Sequence, residues 1–269
     1  MHYQMWIWSK FENVIAHFLI AMMEELIILY YVLFYMFLLM YYHYNNIISY
    51  KEVAYMGKIK LLHGSDHIIE KPDLLLGKTN NDYGRGFYCT QELSMAMEWA
   101  CKKNSDGFVN KYVLEQDSLN ILNLLDGKYN ILHWMALLLK NRTFRLSNEI
   151  AIDACDYIIE NFSIDLKAYD VIIGYRADDS YFSFAESFVQ NGLPLRSLNE
   201  ALHLGRLGTQ TVLISEKSFR NLTFDGADFA DKTVYYPKFI ARDSNVRETY
   251  RREIRNRHSY KNDIFVLDI

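Results

Sequence analysis

From Lys58 onward, short apolar runs alternate with stretches in which apolar residues recur every three or four positions. Period-two or continuous runs bounded by turn residues predict strands, and the three-to-four spacing predicts helices. Strands are expected at Lys58–His63, Gly86–Thr90, Phe108–Glu115, Leu119–Leu124, Asp170–Tyr175 and Thr209–Ser215. Helices are expected at Glu92–Lys102, Tyr129–Arg142, Ser147–Asn161, Phe182–Gln190, Ser197–Leu204 and Val246–His258. Thr90 and Ser147 are the expected N-caps of the first and third of these helices. The interleaving predicts an α+β domain. There is no internal repeat or low-complexity linker, so residues 56–269 are expected to form one domain.

Residues 1–55 follow a different pattern. The stretch 26–42 is apolar and uncharged, bounded by Glu24-Glu25 and by His43, and sits at the lower edge of the length that spans a bilayer as a helix. An apolar N-terminal helix is therefore expected before the domain. Three readings of it stay open. It is a membrane anchor, with Lys51, Lys58 and Lys60 orienting the following domain to the cytoplasm. It is a helix packed on the domain. Or it is no part of the working protein, since Met56-Gly57-Lys58 makes a natural start for a domain whose first strand follows at once. No basic n-region with a small-residue cleavage site marks a secretory signal.

Composition narrows the classes without choosing one. A chain that is 51% apolar has ample material for a core and is not a disordered segment. A formal net charge of -4 gives no global basic field to hold nucleic acid. The three cysteines, Cys89, Cys101 and Cys155, are odd in number and lack metal-ligand spacing. A reducing compartment, no disulfide framework and no metal follow as expectations, with Cys89 read as a buried structural thiol.

Three short segments carry the candidate chemistry. They are Leu61-Leu62-His63-Gly64-Ser65 at the end of the first strand, Gly84-Arg85-Gly86-Phe87-Tyr88 entering the second, and Gly208-Thr209-Gln210 entering a late one. Glycines at strand ends let a ligand approach the backbone closely. Tyr88, and Trp99 on the following helix, offer flat aromatic walls, although ordinary core aromatics read the same way.

In this order, the three segments resemble the His, Tyr and Glu/Gln signature of ADP-ribosyltransferases, in the branch of diphtheria toxin and the poly(ADP-ribose) polymerases. With Tyr175-Arg176-Ala177-Asp178-Asp179-Ser180-Tyr181-Phe182, they are similar to a bacterial domain-of-unknown-function family of that superfamily, over about residues 58–225. The resemblance implies a split β-sandwich core with flanking helices and NAD as substrate, without a metal. It implies His63 on the adenosine-side ribose, Gly64 at the carboxamide and the nicotinamide held between Tyr88 and Trp99, with Ser65 and Gly86 also among the NAD-binding residues. Gln210, with His63 and Tyr88, would carry the catalysis.

Gln210 departs from the commoner glutamate of that family. It keeps a hydrogen bond to the ribose 2'-hydroxyl and loses the charge that stabilises an oxocarbenium-like state. Glu216, Asp178 or Asp179 could supply a carboxylate. Arg176, Asp178 and Asp179 support the site in one reading; in the other, the aspartates cap a helix and Arg176 pairs with a carboxylate. Gly208, where arginine-specific relatives carry a carboxylate, disfavours arginine as acceptor. The resemblance implies mono-ADP-ribosylation of a protein or nucleic-acid acceptor by a toxin or phage-defence effector, with an antitoxin as partner. A non-catalytic nucleotide-binding module and a membrane-anchored interaction protein are the competing expectations. The arginines at 247, 251, 252, 255 and 257 read mainly as a solvated amphipathic helix, and otherwise as a phosphate-binding one.

Overall fold

The computed structural model describes residues 34–36, 57–177, 179–201, 209–255 and 262–269, without the side chains of Asp179 and Ser180. The chain divides into two units, Met1–Met56 and Gly57–Ile269. In the first unit residues 34–36 are helical, and the rest of the expected span 26–42 lies outside the described residues. No helix among the described residues is long and apolar enough to cross a membrane.

The second unit is α+β, as the pattern predicts. Its strands are β1 (Lys58–Ser65), β2 (Phe87–Thr90), β3 (Gly107–Glu115), β4 (Ile121–Asn123), β5 (Val171–Gly174), β6 (Gln210–Leu213) and β7 (Leu222–Ala230). They form one mixed sheet in the order β4-β5-β6-β2-β1-β3-β7. The β4–β5 pair is parallel and the other neighbours run antiparallel. The halves β4-β5-β6-β2 and β1-β3-β7 join through the pair Leu62↔Thr90, whereas β1 and β3 pair along their whole length from Lys58↔Glu115 to Ser65↔Phe108.

The helices are α1 (Leu93–Ala100), α2 (Ile131–Asn141), α3 (Glu149–Phe162), α4 (Asp179–Val189), α5 (Leu195–Ala201), α6 (Glu216–Arg220) and α7 (Lys232–Arg255). α2 is apolar almost all round and is buried accordingly. It starts where the Asn130 side chain accepts the Leu132 N–H at 3.0 Å. α3 buries the stripe Ala151, Ala154, Cys155 and Ile158, the three-to-four spacing of a one-sided helix. Its N-cap is Asn148, which accepts the Ala151 N–H at 2.8 Å, rather than the expected Ser147. Glu92 precedes α1, and the Thr90 hydroxyl accepts the Glu92 N–H rather than one inside the helix.

The largest core cluster packs α2, α3 and α4, through Trp134, Leu138, Ile158, Tyr181 and Phe184, against Leu122, Ile172 and Val212 of the sheet. A second cluster gathers Leu61, Phe87, Cys89, Tyr112 and Leu213. A third seats α1, through Ala96 and Ala100, on Val109 and Ala230, with Tyr235 and Tyr236 of α7 against it. All three cysteines are free and buried. Cys89 is fully enclosed and burial raises its thiol pKa, which suits packing rather than nucleophilic attack.

Three elements differ from the pattern-based expectation. β7 contains Asp225-Gly226, a pair that reads as a hairpin turn. In the structure Gly226 takes a φ of 100° inside the strand, which pairs along β3 with a register shift between Asn110 and Tyr112. α6 follows β6 after a Ser215 cap and is too short for a periodic signal. α7 begins at Lys232, well before the expected Val246, because Pro237 lies within its early turns and reads as a break.

Candidate functional site

Because β2 lies between β6 and β1, residues far apart in sequence come together. Gln210 opens β6 opposite Thr90 of β2 and Gly174 of β5, while His63 lies on β1 beyond the Leu62↔Thr90 junction. A cleft of about 1030 Å³ opens there. Its lining includes His63, Gly64, Ser65, Gly86, Tyr88, Trp99, Arg176 and Gln210. Of the other expected residues, Asp178 and the side chain of Asp179 lie outside the described ones. Glu216 is absent from the lining: its side chain is 86% exposed and pairs with Arg220 on α6.

The second segment folds back on itself before entering β2. Gly84 takes a φ of 76°, the left-handed region open to glycine, and its carbonyl accepts the Tyr88 hydroxyl at 2.7 Å. The same hydroxyl accepts the Tyr83 N–H at 3.0 Å. Burial raises the Tyr88 pKa, so the phenol stays neutral and holds the loop while its ring borders the cleft.

His63 points one ring nitrogen back into the fold. Its Nδ1–H donates to the Tyr88 carbonyl at 2.7 Å, and the ring stacks on Phe87 at 4.4 Å between centroids. Burial is the main cause of its lowered pKa, so the imidazole is neutral near pH 7 and its Nε2 lone pair is an acceptor.

Gly64 lines the cleft and also serves packing. A Cβ built there would lie 2.2 Å from the Ala96 carbonyl and 2.7 Å from the Ala100 nitrogen, so the absent side chain admits α1 against β1. Ser65 begins the turn that follows, its hydroxyl accepting the His67 N–H at 3.4 Å. Fully buried Asn110 fixes that turn by accepting the Ile69 N–H at 2.7 Å and donating to the His67 carbonyl at 3.2 Å.

Trp99 is engaged. The Arg176 guanidinium lies 3.6 Å from its ring centroid, a close cation-π contact, and Arg176 Nη1 also reaches Met95 Sδ at 3.0 Å. One face of the indole is thus already covered, and by a cation. The expected Tyr88–Trp99 sandwich around a cationic ring therefore needs Arg176 to move, or the ring to use Tyr88 alone.

Gln210 is only 2% exposed, and its amide donates to Asp82 Oδ2 at 3.2 Å and to the Tyr175 carbonyl at 3.0 Å. Both N–H groups are therefore committed to protein acceptors. Asp82 is the carboxylate that sequence reading missed. It also accepts the Ala177 N–H on Oδ2 at 2.9 Å and Arg142 Nη1 on Oδ1 at 2.9 Å. Burial raises its pKa, opposed by these donors and by the Arg142 and Arg176 charges. Asp82 stands two residues before Gly84, so an acid next to that glycine turn was the available signal. Arg142 gave none, being the expected end of a helix. α7 adds Phe239, Asp243 and Arg247 to the lining, with Arg247 Nε bonded to Asp243 at 2.7 Å.

Chemically, the cleft combines a neutral imidazole acceptor, an aromatic wall, an arginine on an indole, and an amide bonded to a buried carboxylate. A family model described as protein of unknown function (DUF3990) matches residues 59–224, and the chain belongs to that family. The match runs from within β1 into the start of β7 and ends before α7. No curated protein and no solved structure matches the chain.

Proposed function

We propose that the Gly57–Ile269 unit is an NAD-dependent mono-ADP-ribosyltransferase with an ADP-ribosyltransferase-like fold. The carrying observation is that His63, Tyr88 and Gln210, from three separate sequence segments, line one cleft large enough for a dinucleotide. Neutral His63 is suited to accept a ribose hydroxyl through Nε2. The Tyr88 ring suits the planar nicotinamide, and Arg176 suits the anionic diphosphate.

In the reaction, the bond between the ribose anomeric carbon and the nicotinamide nitrogen breaks, and its electron pair leaves with nicotinamide. An acceptor lone pair then bonds to that carbon and the acceptor loses a proton. Positive charge builds on the sugar between these events, and Gln210 with Asp82 would be the stabilising pair. Gly208 still argues against arginine as acceptor, which leaves another protein side chain or a nucleic acid. A toxin or phage-defence role with an antitoxin partner is the setting the family resemblance implies.

The test is to incubate the full chain with NAD labelled in the adenylate half, together with protein and nucleic-acid fractions. Label on one fraction, abolished by Tyr88→Ala, is the expected result; no label on either, with no nicotinamide released, contradicts the proposal. A non-catalytic NAD-binding module is the second reading, favoured by the uncharged Gln210 amide and its committed N–H groups. Saturable NAD binding with no nicotinamide release would select it.

A further inference from the structure

We propose that Asp82 is a positioning residue for Gln210, so that a carboxylate–amide pair from two distant segments does what a single carboxylate would do at the strand entry. The inference rests on the NAD-cleaving reading of the cleft.

Three observations carry it. First, the amide cannot rotate freely. Its nitrogen faces two acceptors, Asp82 Oδ2 at 3.2 Å and the Tyr175 carbonyl at 3.0 Å, so a flip would set its oxygen against both. The amide oxygen is thereby fixed as the group that accepts from elsewhere. Second, an N–H given to a carboxylate draws electron density toward the amide carbonyl, which strengthens that oxygen as an acceptor for a sugar hydroxyl beside developing positive charge. Third, Asp82 is held independently of Gln210. Arg142 and the Ala177 N–H, both at 2.9 Å, fix the carboxylate from other elements, and the loop carrying it is tied by the Tyr83 N–H to the Tyr88 hydroxyl at 3.0 Å. Both carboxylate oxygens accept, so the group is built to receive donors on either side.

Asp82 itself lines the cleft, yet the atom it addresses is the Gln210 nitrogen. Removing its charge is therefore expected to change the rate of bond cleavage more than the affinity for NAD.

The experiment measures nicotinamide release by the full chain as a function of NAD concentration, in the wild type, Asp82→Asn and Asp82→Ser. Asp82→Asn places an NH2 group against donors; Asp82→Ser removes the charge without doing so and serves if the first variant fails to fold. For whichever variant retains a cooperative melt, kcat is expected to fall at least tenfold with KM changed less than threefold. Added formate is expected to restore at least a third of the lost kcat in Asp82→Ser by replacing the carboxylate. If the wild type releases nicotinamide while the folded variants keep kcat within threefold, or lose kcat and KM together without formate rescue, the role of Asp82 is overturned and the NAD reading stands. If the wild type releases none, the NAD reading fails and this inference falls with it.

Discussion

Placing an acid at position 210, by Gln210→Glu, is expected to harm this protein. The amide nitrogen now points at Asp82 Oδ2 at 3.2 Å and at the Tyr175 carbonyl at 3.0 Å. A carboxylate in its place faces an acid and a carbonyl with no donor to offer. At the Asp82 separation of 3.2 Å, two unit charges in an effective dielectric of about 20 repel by roughly 5 kcal/mol. Taking up a proton at pH 7 from an ordinary glutamate pKa near 4.3 costs about 3.7 kcal/mol, and at pH 5 about 1 kcal/mol. Protonation is the smaller cost at both values, so the pair holds one proton and its titration belongs to both acids.

The sign follows from linkage. The pair's pKa in the folded state is raised above the unfolded value. Its stability contribution is therefore fully present below the unfolded pKa and is lost as pH rises through the raised one. The Asp82 pKa is already raised in the wild type, mainly by burial, which favours the shared proton. The stability deficit of Gln210→Glu against wild type should grow from about 1 kcal/mol at pH 5 to about 4 kcal/mol at pH 7. For a unit of this size that is a Tm gap widening by roughly 6–12 °C. Thermal melts of both proteins across pH 5 to 8 check it without any need for substrate. A gap that is absent, or constant with pH, would refute the placement of Gln210 against Asp82.

Other outcomes follow from the same contacts. Burial lowers the His63 pKa, so its contribution is present above the unfolded pKa near 6.5 and is lost as pH falls through the folded value. The Tm difference between wild type and His63→Gln should therefore shrink as pH is lowered from 7.5 toward about 5, and a constant difference would show that His63 is not held neutral. Gly64→Ala places a methyl 2.2 Å from the Ala96 carbonyl, and urea unfolding should show a loss of about 1–3 kcal/mol as α1 is pushed off β1. Unchanged stability would mean that α1 is not seated there. Arg176→Gln removes the cation over Trp99 at 3.6 Å and, with it, the charge suited to a diphosphate. Its KM for NAD should rise about tenfold, and an unchanged KM would exclude that role for Arg176.

The sheet was largely legible because its central strands are apolar runs punctuated by glycine. His63, Tyr88 and Gln210 of the three motif segments fall on β1, β2 and β6, and the order β6-β2-β1 brings them together. What stayed hidden depended on contacts between distant segments. Asp225-Gly226 carries a turn signal, and only pairing with β3 turns it into a bulged strand. Pro237 carries a break signal that α7 overrides through the packing of Tyr235 and Tyr236 on the α1 cluster. Asp82 looked like one polar residue in a polar loop, and its meaning came from Gln210, Arg142 and Ala177. Gly64 reads as a place for ligand approach, and only the fold shows that its missing side chain also admits a neighbouring helix backbone. Trp99 reads as a stacking wall or a core aromatic, and no local pattern reveals that an arginine from the end of β5 lies on it.

The most direct measurement is nicotinamide release from NAD by the full chain at neutral pH, beside Gln210→Ala and Tyr88→Ala under the same conditions. Release by the wild type that falls at least tenfold in both variants, each still folded by its melt, is the expected result. No release by the wild type, or release that both folded variants retain, would contradict the assignment of NAD cleavage to this cleft.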